Sequence, residues 1–139
     1  MKGRLYHAIP GWVPDGEVFH IRIRAESPDL TASPLAQALL ASAEHYQITS
    51  RWHCRLFLLM PDHLHALISF PREPGMSDTI RAWKTYHARQ HDVRWQSGYF
   101  DHRIRNEDEL TAKAHYILQN PVVKGLCATQ EAWPWKWPA

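Results

Sequence analysis

A chain of 139 residues with 45% hydrophobic and 22% charged residues has the size and make-up of one domain with a core of its own. No apolar run nears the roughly 20 residues of a membrane span, and two cysteines are too few for a disulfide framework. A helical membrane protein and a disulfide-stapled scaffold are thereby excluded, while a net charge of +2 neither marks nor excludes a nucleic-acid binder.

Residues 1–4 are basic but are not followed by an apolar signal segment, so the expectation is a cytoplasmic protein with Cys54 and Cys127 reduced. Residues 1–16 hold the turn formers Pro10, Gly11, Pro14, Asp15 and Gly16 and are expected to be irregular. Residues 18–24 then alternate. Phe19, Ile21 and Ile23 face one way and His20, Arg22 and Arg24 the other, which predicts a half-buried strand with a cationic open face. Ser33 and Pro34 read as the N-cap and first residue of a helix with an apolar stripe of Leu35, Leu39, Leu40 and Ala43.

Two strand-like runs, 52–60 and 63–70, are separated only by Pro61 and Asp62, and this short punctuation predicts an antiparallel hairpin. After a loop at 71–75, Ser77 reads as the cap of a second helix with Ile80, Trp83 and His87 near one face. Residues 95–104 read as a short strand. A third helix starts at Asn106, where Asn-x-x-Glu with Glu109 is a capping-box variant; its stripe is Leu110, Ala114, Ile117 and Leu118, and Pro121 marks its end. The order is strand, helix, strand, strand, helix, strand, helix. It predicts an α+β fold: a ferredoxin-like antiparallel sheet with helices on one face plus a late helix, in one domain over 1–139 that closes on a Trp-rich segment at 127–139.

His63-Leu64-His65 is the sharpest chemical feature. Side chains two apart on a strand share a face, so both imidazoles project together while Leu64, Ala66 and Ile68 enter the core. In a ferredoxin-like sheet the first and third strands are neighbours, which sets the pair beside His20, Arg22 and Arg24. Two potential metal ligands next to cations suit a phosphodiester. On the third helix Tyr116 and Asn120 are four apart and therefore lie one above the other, with Lys113 one turn before Tyr116. Six Lys or Arg residues between Arg81 and Arg105 face two acids, Asp92 and Asp101, a stripe able to neutralise phosphates. Arg22, Arg24, Arg81, Lys84, Arg89 and Lys113 are the candidate DNA contacts. Trp133, Trp135 and Trp137 could stack on unpaired bases or close one end of the core.

Taken in order, these segments resemble a known family. Met60-Pro61-Asp62-His63-Leu64-His65 is similar to the Met-Pro-Asn-His-hydrophobic-His segment of single-tyrosine HUH transposases, named for His-hydrophobic-His. The run from Trp95 through Gly98-Tyr99-Phe100-Asp101-His102 is similar to the Trp-x-x-Gly-Tyr-Tyr-Asp-His segment of REP-associated tyrosine transposases. Tyr116-Ile117 through Asn120-Pro121-Val122, followed by Gly125-Leu126, resembles their Tyr-Ile-x-x-Asn-Pro-Val…Gly-Leu segment, and Trp133-Pro134-Trp135 their closing aromatic-Pro-Trp.

The resemblance implies an enzyme that cleaves and rejoins single-stranded, hairpin-containing DNA through a 5′-phosphotyrosine. Tyr116 would be the nucleophile, and His63, His65 and Asn120 would hold Mg²⁺ or Mn²⁺. Related enzymes occur as monomers and as homodimers. Two departures stand out: Asp62 replaces the usual Asn, with an expected effect on turn geometry, and Phe100 replaces a second Tyr, with an expected effect on packing. From the residues alone, a metal-dependent hydrolase using the His pair and a binding-only module for single-stranded nucleic acid compete with this reading.

Overall fold

The computed structural model of the chain describes residues 16–139, so the irregular stretch expected at 1–16 lies outside the described residues except for Gly16. The elements are β1 (Phe19–Ser27), α1 (Leu35–Ile48), β2 (His53–Met60), β3 (His63–Ser69), α2 (Met76–His91), β4 (Arg94–Trp95), β5 (Phe100–Arg103), α3 (Glu107–Val123) and β6 (Lys136–Trp137). The strands form one antiparallel sheet in the order β4-β1-β3-β2-β6, with β5 also paired to β1. The first and third strands are central neighbours, as the ferredoxin-like reading requires. Among the described residues no helix is long and apolar enough to cross a membrane.

Strand parity sorts the side chains into two layers. Ile21, Ile23 and Ala25 of β1 and Leu64, Ala66 and Ile68 of β3 pack with Ala36, Leu39 and Ala43 of α1 and Ile80 and Trp83 of α2. Each buried Ile or Leu side chain among them contributes roughly 1.5–3 kcal/mol by leaving water. A second, smaller cluster lies on the other face, where Leu56, Leu58, Met60 and Leu67 meet Ile117 of α3 and Trp133. Strand β2 is apolar on both faces because both layers use it. Its parity switches at Arg55, an extra residue in the β2–β3 ladder between the pairs Cys54–Ile68 and Leu56–Leu67. Such a bulge lets Cys54 face the α1–α2 layer while Leu56 faces α3.

Several local expectations are corrected. Helix α1 begins at Leu35 with Pro34 as its N-cap and no side-chain cap, so Ser33 does not fill that role. Gly75 rather than Ser77 caps α2; the Ser77 hydroxyl instead meets the Tyr99 hydroxyl at 2.9 Å. The strand expected at 95–104 is divided into β4 and β5 by a turn in which Gly98 takes φ +75°, a value that side-chain-bearing residues resist. Helix α3 does start after Asn106, whose side chain accepts from the Glu109 N–H. It runs past Pro121 to Val123, because Pro removes a donor without forbidding helical φ. At the C-terminal end Trp133 is buried and donates from Nε1 to the Leu59 carbonyl (3.0 Å), while Trp135 and Trp137 pack against the larger core. That segment adds the edge strand β6, which no periodicity in the sequence announces.

Candidate active site

The face of the sheet opposite α1 and α2 carries the polar residues of β1 and β3. Arg22 stands directly across from His65 and Arg24 from His63, while His20, two residues along, reaches His65 diagonally. The His20 Nε2 and His65 Nδ1 atoms are 3.0 Å apart, and the ring centroids of His63 and His65 are separated by 4.9 Å. Helix α3 crosses this face beside its apolar anchor Ile117. It sets Tyr116 with its ring centroid 5.9 Å from that of His65 and 6.5 Å from that of His20. One turn on, Asn120 Nδ2 lies 3.4 Å from His65 Nε2. Tyr116 is 53% exposed, whereas His65 (2%) and Asn120 (7%) are buried. The tyrosine therefore opens to solvent above a buried polar floor.

The imidazoles are held in their neutral form. Burial is the main cause, lowering His65 to about 3 and His20 to about 4, with the neighbouring histidines and cations adding to the effect. His63 is lowered as well: burial outweighs the Asp62 carboxylate 2.7 Å from its Nδ1. A carboxylate can only accept, so His63 Nδ1 carries the hydrogen and Nε2 keeps its lone pair. His65 has the same option when its Nδ1–H donates to His20, leaving its Nε2 lone pair toward Asn120. The Asn120 Oδ1 is buried with no hydrogen-bond partner among the described residues. As ligand types, two imidazole nitrogens and an amide oxygen suit a divalent ion; with Asn120 Nδ2 facing His65 Nε2, the amide has to turn over to present its oxygen beside them. No three His, Cys, Asp or Glu side chains are grouped as a metal site among the described residues.

Beside Tyr116 lies an open groove of about 470 Å³ lined by His20, Arg22, Phe100, Glu109, Lys113 and Tyr116. The Lys113 ammonium lies 5.9 Å from the centre of the Tyr116 ring. Glu109 is tied down, accepting from the Arg105 N–H and meeting His102 Nε2 at 2.7 Å; these contacts hold its carboxyl down at about 2.

The structure thus brings together His63, His65, Tyr116, Asn120, Arg22, Arg24 and Lys113. It leaves Arg81, Lys84 and Arg89 on α2, in the layer behind the sheet. Arg81 pairs with Asp78, and Lys84 donates to the carbonyls of Gln96 (2.9 Å) and Gly98 (2.8 Å), pinning the β4–β5 turn. Two site residues carried no assigned role in the sequence reading. His20 was legible only as one member of the open face, and its contact with His65 needed the register. Asp62, expected to affect the turn, also meets His63 Nδ1 at 2.7 Å.

No family model matches the chain. It is similar to a curated protein from Haemophilus influenzae named "Putative REP-associated tyrosine transposase", at 27% identity across 68% of this chain. The matched part spans 61% of that relative's length. Among solved structures the fold is similar to a REP-associated tyrosine transposase bound to a REP hairpin, with a TM-score of 0.73 and 19% identity over 98% of this chain and 81% of the other. The curated relative and the solved structure carry the same family name, and with the latter this chain shares the fold.

Proposed function

We propose that this chain is a metal-dependent DNA transposase or nuclease that cleaves and rejoins single-stranded, hairpin-containing DNA through a 5′-phosphotyrosine. The observation that carries the reading is the placement of Tyr116 and Asn120 on one face of α3, over the His63–His65 pair. The hairpin held by the similar solved structure supports hairpin DNA as the substrate class.

His63, His65 and Asn120 would hold the ion, Mg²⁺ or Mn²⁺ by the resemblance. When bound, such an ion neutralises phosphodiester charge and polarises phosphorus. Tyr116 then supplies the nucleophile: its oxygen bonds to phosphorus, the bond to the 3′ oxygen breaks, the phenol gives up its proton and the 3′ oxygen takes one. Because a phenolate leaves more readily than an alkoxide, the same link can be reversed by an incoming 3′-hydroxyl, and no nucleotide cofactor is needed. Arg22, Arg24 and Lys113 supply positive charge along the groove for the phosphates on either side.

Incubation with a 3′-labelled DNA hairpin carrying single-stranded flanks, in Mn²⁺, should give a protein–DNA adduct that survives denaturing electrophoresis, with Tyr116 as the modified residue on peptide mapping. Cleavage without an adduct would defeat the proposal.

The contact between Asp62 and His63 leads to a separate expectation. Asp62→Ala frees the His63 ring to rotate and to change tautomer, so Mn²⁺ affinity measured by calorimetry should fall about 10-fold or more, as is usual for partners of metal-binding histidines. Asp62 is largely exposed, so thermal stability should hardly move. An unchanged Mn²⁺ affinity would show that Asp62 does not orient a ligand.

A further inference from the structure

Phe100 is an aromatic side chain left open on the site wall. It is 40% exposed, although the expectation from sequence was a packing role. In the β1–β5 ladder it stands across from Arg22, so both side chains project from the face that carries His20, His65 and Tyr116. The Arg22 guanidinium lies 4.7 Å from the ring centre, and the His20 ring meets it edge-on with centroids 5.6 Å apart. The guanidinium covers one face of the ring and the His20 contact fixes its orientation, while the side chain as a whole stays exposed.

Phe100 also stands where two grooves meet. One is the groove beside Tyr116. The other, of about 340 Å³, is lined by Arg22, Arg24, the Gln96–Tyr99 turn and Phe100 itself. Arg22, Arg24 and Lys113 line this continuous path against one acid, Glu109, which is already engaged by His102 and Arg105. The Gly98 turn is open as well: a side chain added there would meet nothing within 4 Å. A cationic path divided by an upright aromatic ring matches a polyanion whose repeating unit is a flat ring.

We propose that Phe100 is a stacking platform for one unpaired nucleobase next to the phosphate attacked by Tyr116, so that the strand runs from the Arg22–Arg24 groove past Phe100 to the tyrosine. The inference rests on the strand-transfer reading and adds to it a positioning residue for the DNA. Stacking on an aromatic side chain is sequence-tolerant and contributes enough per base to be read in binding. It would also limit rotation of the neighbouring phosphate, so that cleavage as well as affinity depends on the ring.

The test uses a fluorescein-labelled DNA hairpin with single-stranded flanks, and a series of the same hairpin with one abasic site moved along the flank. Binding is measured by anisotropy in a Tyr116→Phe background, where the DNA stays intact. Adding Phe100→Leu, which keeps an apolar side chain of similar reach, should weaken binding of the intact hairpin about 10-fold. Phe100→Tyr should restore it. At one flank position the abasic hairpin should bind equally to the proteins with and without Phe100→Leu, because the base that stacks is already gone. Affinity unchanged by Phe100→Leu, or a loss of the same size at every abasic position, overturns the proposal. Adduct formation at Tyr116 by the otherwise wild-type protein is scored separately: an adduct without positional coupling removes the stacking role alone, and coupling without an adduct removes the strand-transfer reading alone.

Discussion

Tyr116→Phe is expected to reduce strand cleavage by at least about 1,000-fold and to remove the covalent adduct entirely. The substitution deletes one oxygen and leaves the ring. Because the ring is already 53% exposed and the anchoring of α3 comes from its neighbour Ile117, stability should change by less than about 0.5 kcal/mol. The donor set for the ion, His63, His65 and Asn120, is untouched, so Mn²⁺ affinity should match that of the unaltered protein. Hairpin affinity should persist as well, because the cationic wall of Arg22, Arg24 and Lys113 remains. This combination separates a nucleophile from a structural tyrosine: a structural role would move the melting temperature, and a ligand role would move metal binding. Cleavage at the original rate by Tyr116→Phe would transfer the chemistry to an activated water and make a metal-dependent hydrolase the better description.

A second large effect is expected from mild acid. His20, His53, His65 and His87 are all buried, and burial, as the leading cause, lowers them from 6.5 to about 4, 4, 3 and 4. In the unfolded chain each returns to its ordinary value. Below pH 6.5 the unfolded state therefore binds protons that the folded state refuses. The stability is fully present above that pH and declines as the pH falls toward the folded-state values, by roughly 1.4 kcal/mol per group for each pH unit. Between pH 7 and pH 5 a group that titrates by itself removes roughly 2 kcal/mol, and with His20 and His65 sharing a hydrogen bond the set together removes on the order of several kcal/mol, a large share of the stability of an ordinary domain. Urea titrations at the two pH values should show the midpoint collapsing at pH 5. A midpoint that stays constant over this range would contradict the burial of four neutral imidazoles. His87 lies outside the candidate site, between α1 and α2, where its Nε2 is 2.9 Å from the Ser42 hydroxyl, so the acid response does not depend on the site alone.

Periodicity and punctuation were enough for β1, α1, β2, β3, α2 and α3 and their order, though not for β6. Alternation in β1 separated Ile21 and Ile23 from His20, Arg22 and Arg24, and the same period placed His63 and His65 on one face, because parity along a strand is a local property of the backbone. The four-residue spacing of Tyr116 and Asn120 was equally local. Ends and breaks were less legible. Gly75 and Pro34 displaced the expected serine caps, the Gly98 turn split one expected strand in two, and Pro121 stayed inside a helix whose neighbours hold it.

Contacts between distant residues had to come from the fold. That His20 reaches His65 follows from the antiparallel register of β1 and β3, which no single strand encodes. The crossing of α3 over the open face depends on Ile117 finding a second apolar patch, made by Leu56, Leu58 and Met60 once the bulge at Arg55 had turned them that way. The cationic stripe was divided in the same manner. Arg22, Arg24 and Lys113 gather beside Tyr116, while Arg81, Lys84 and Arg89 follow α2, whose apolar stripe must face the larger core, and Lys84 is tied to the carbonyls of the Gly98 turn. Residue types and spacing thus determined the chemistry available to this chain, and long-range packing alone decided which of those groups share one site.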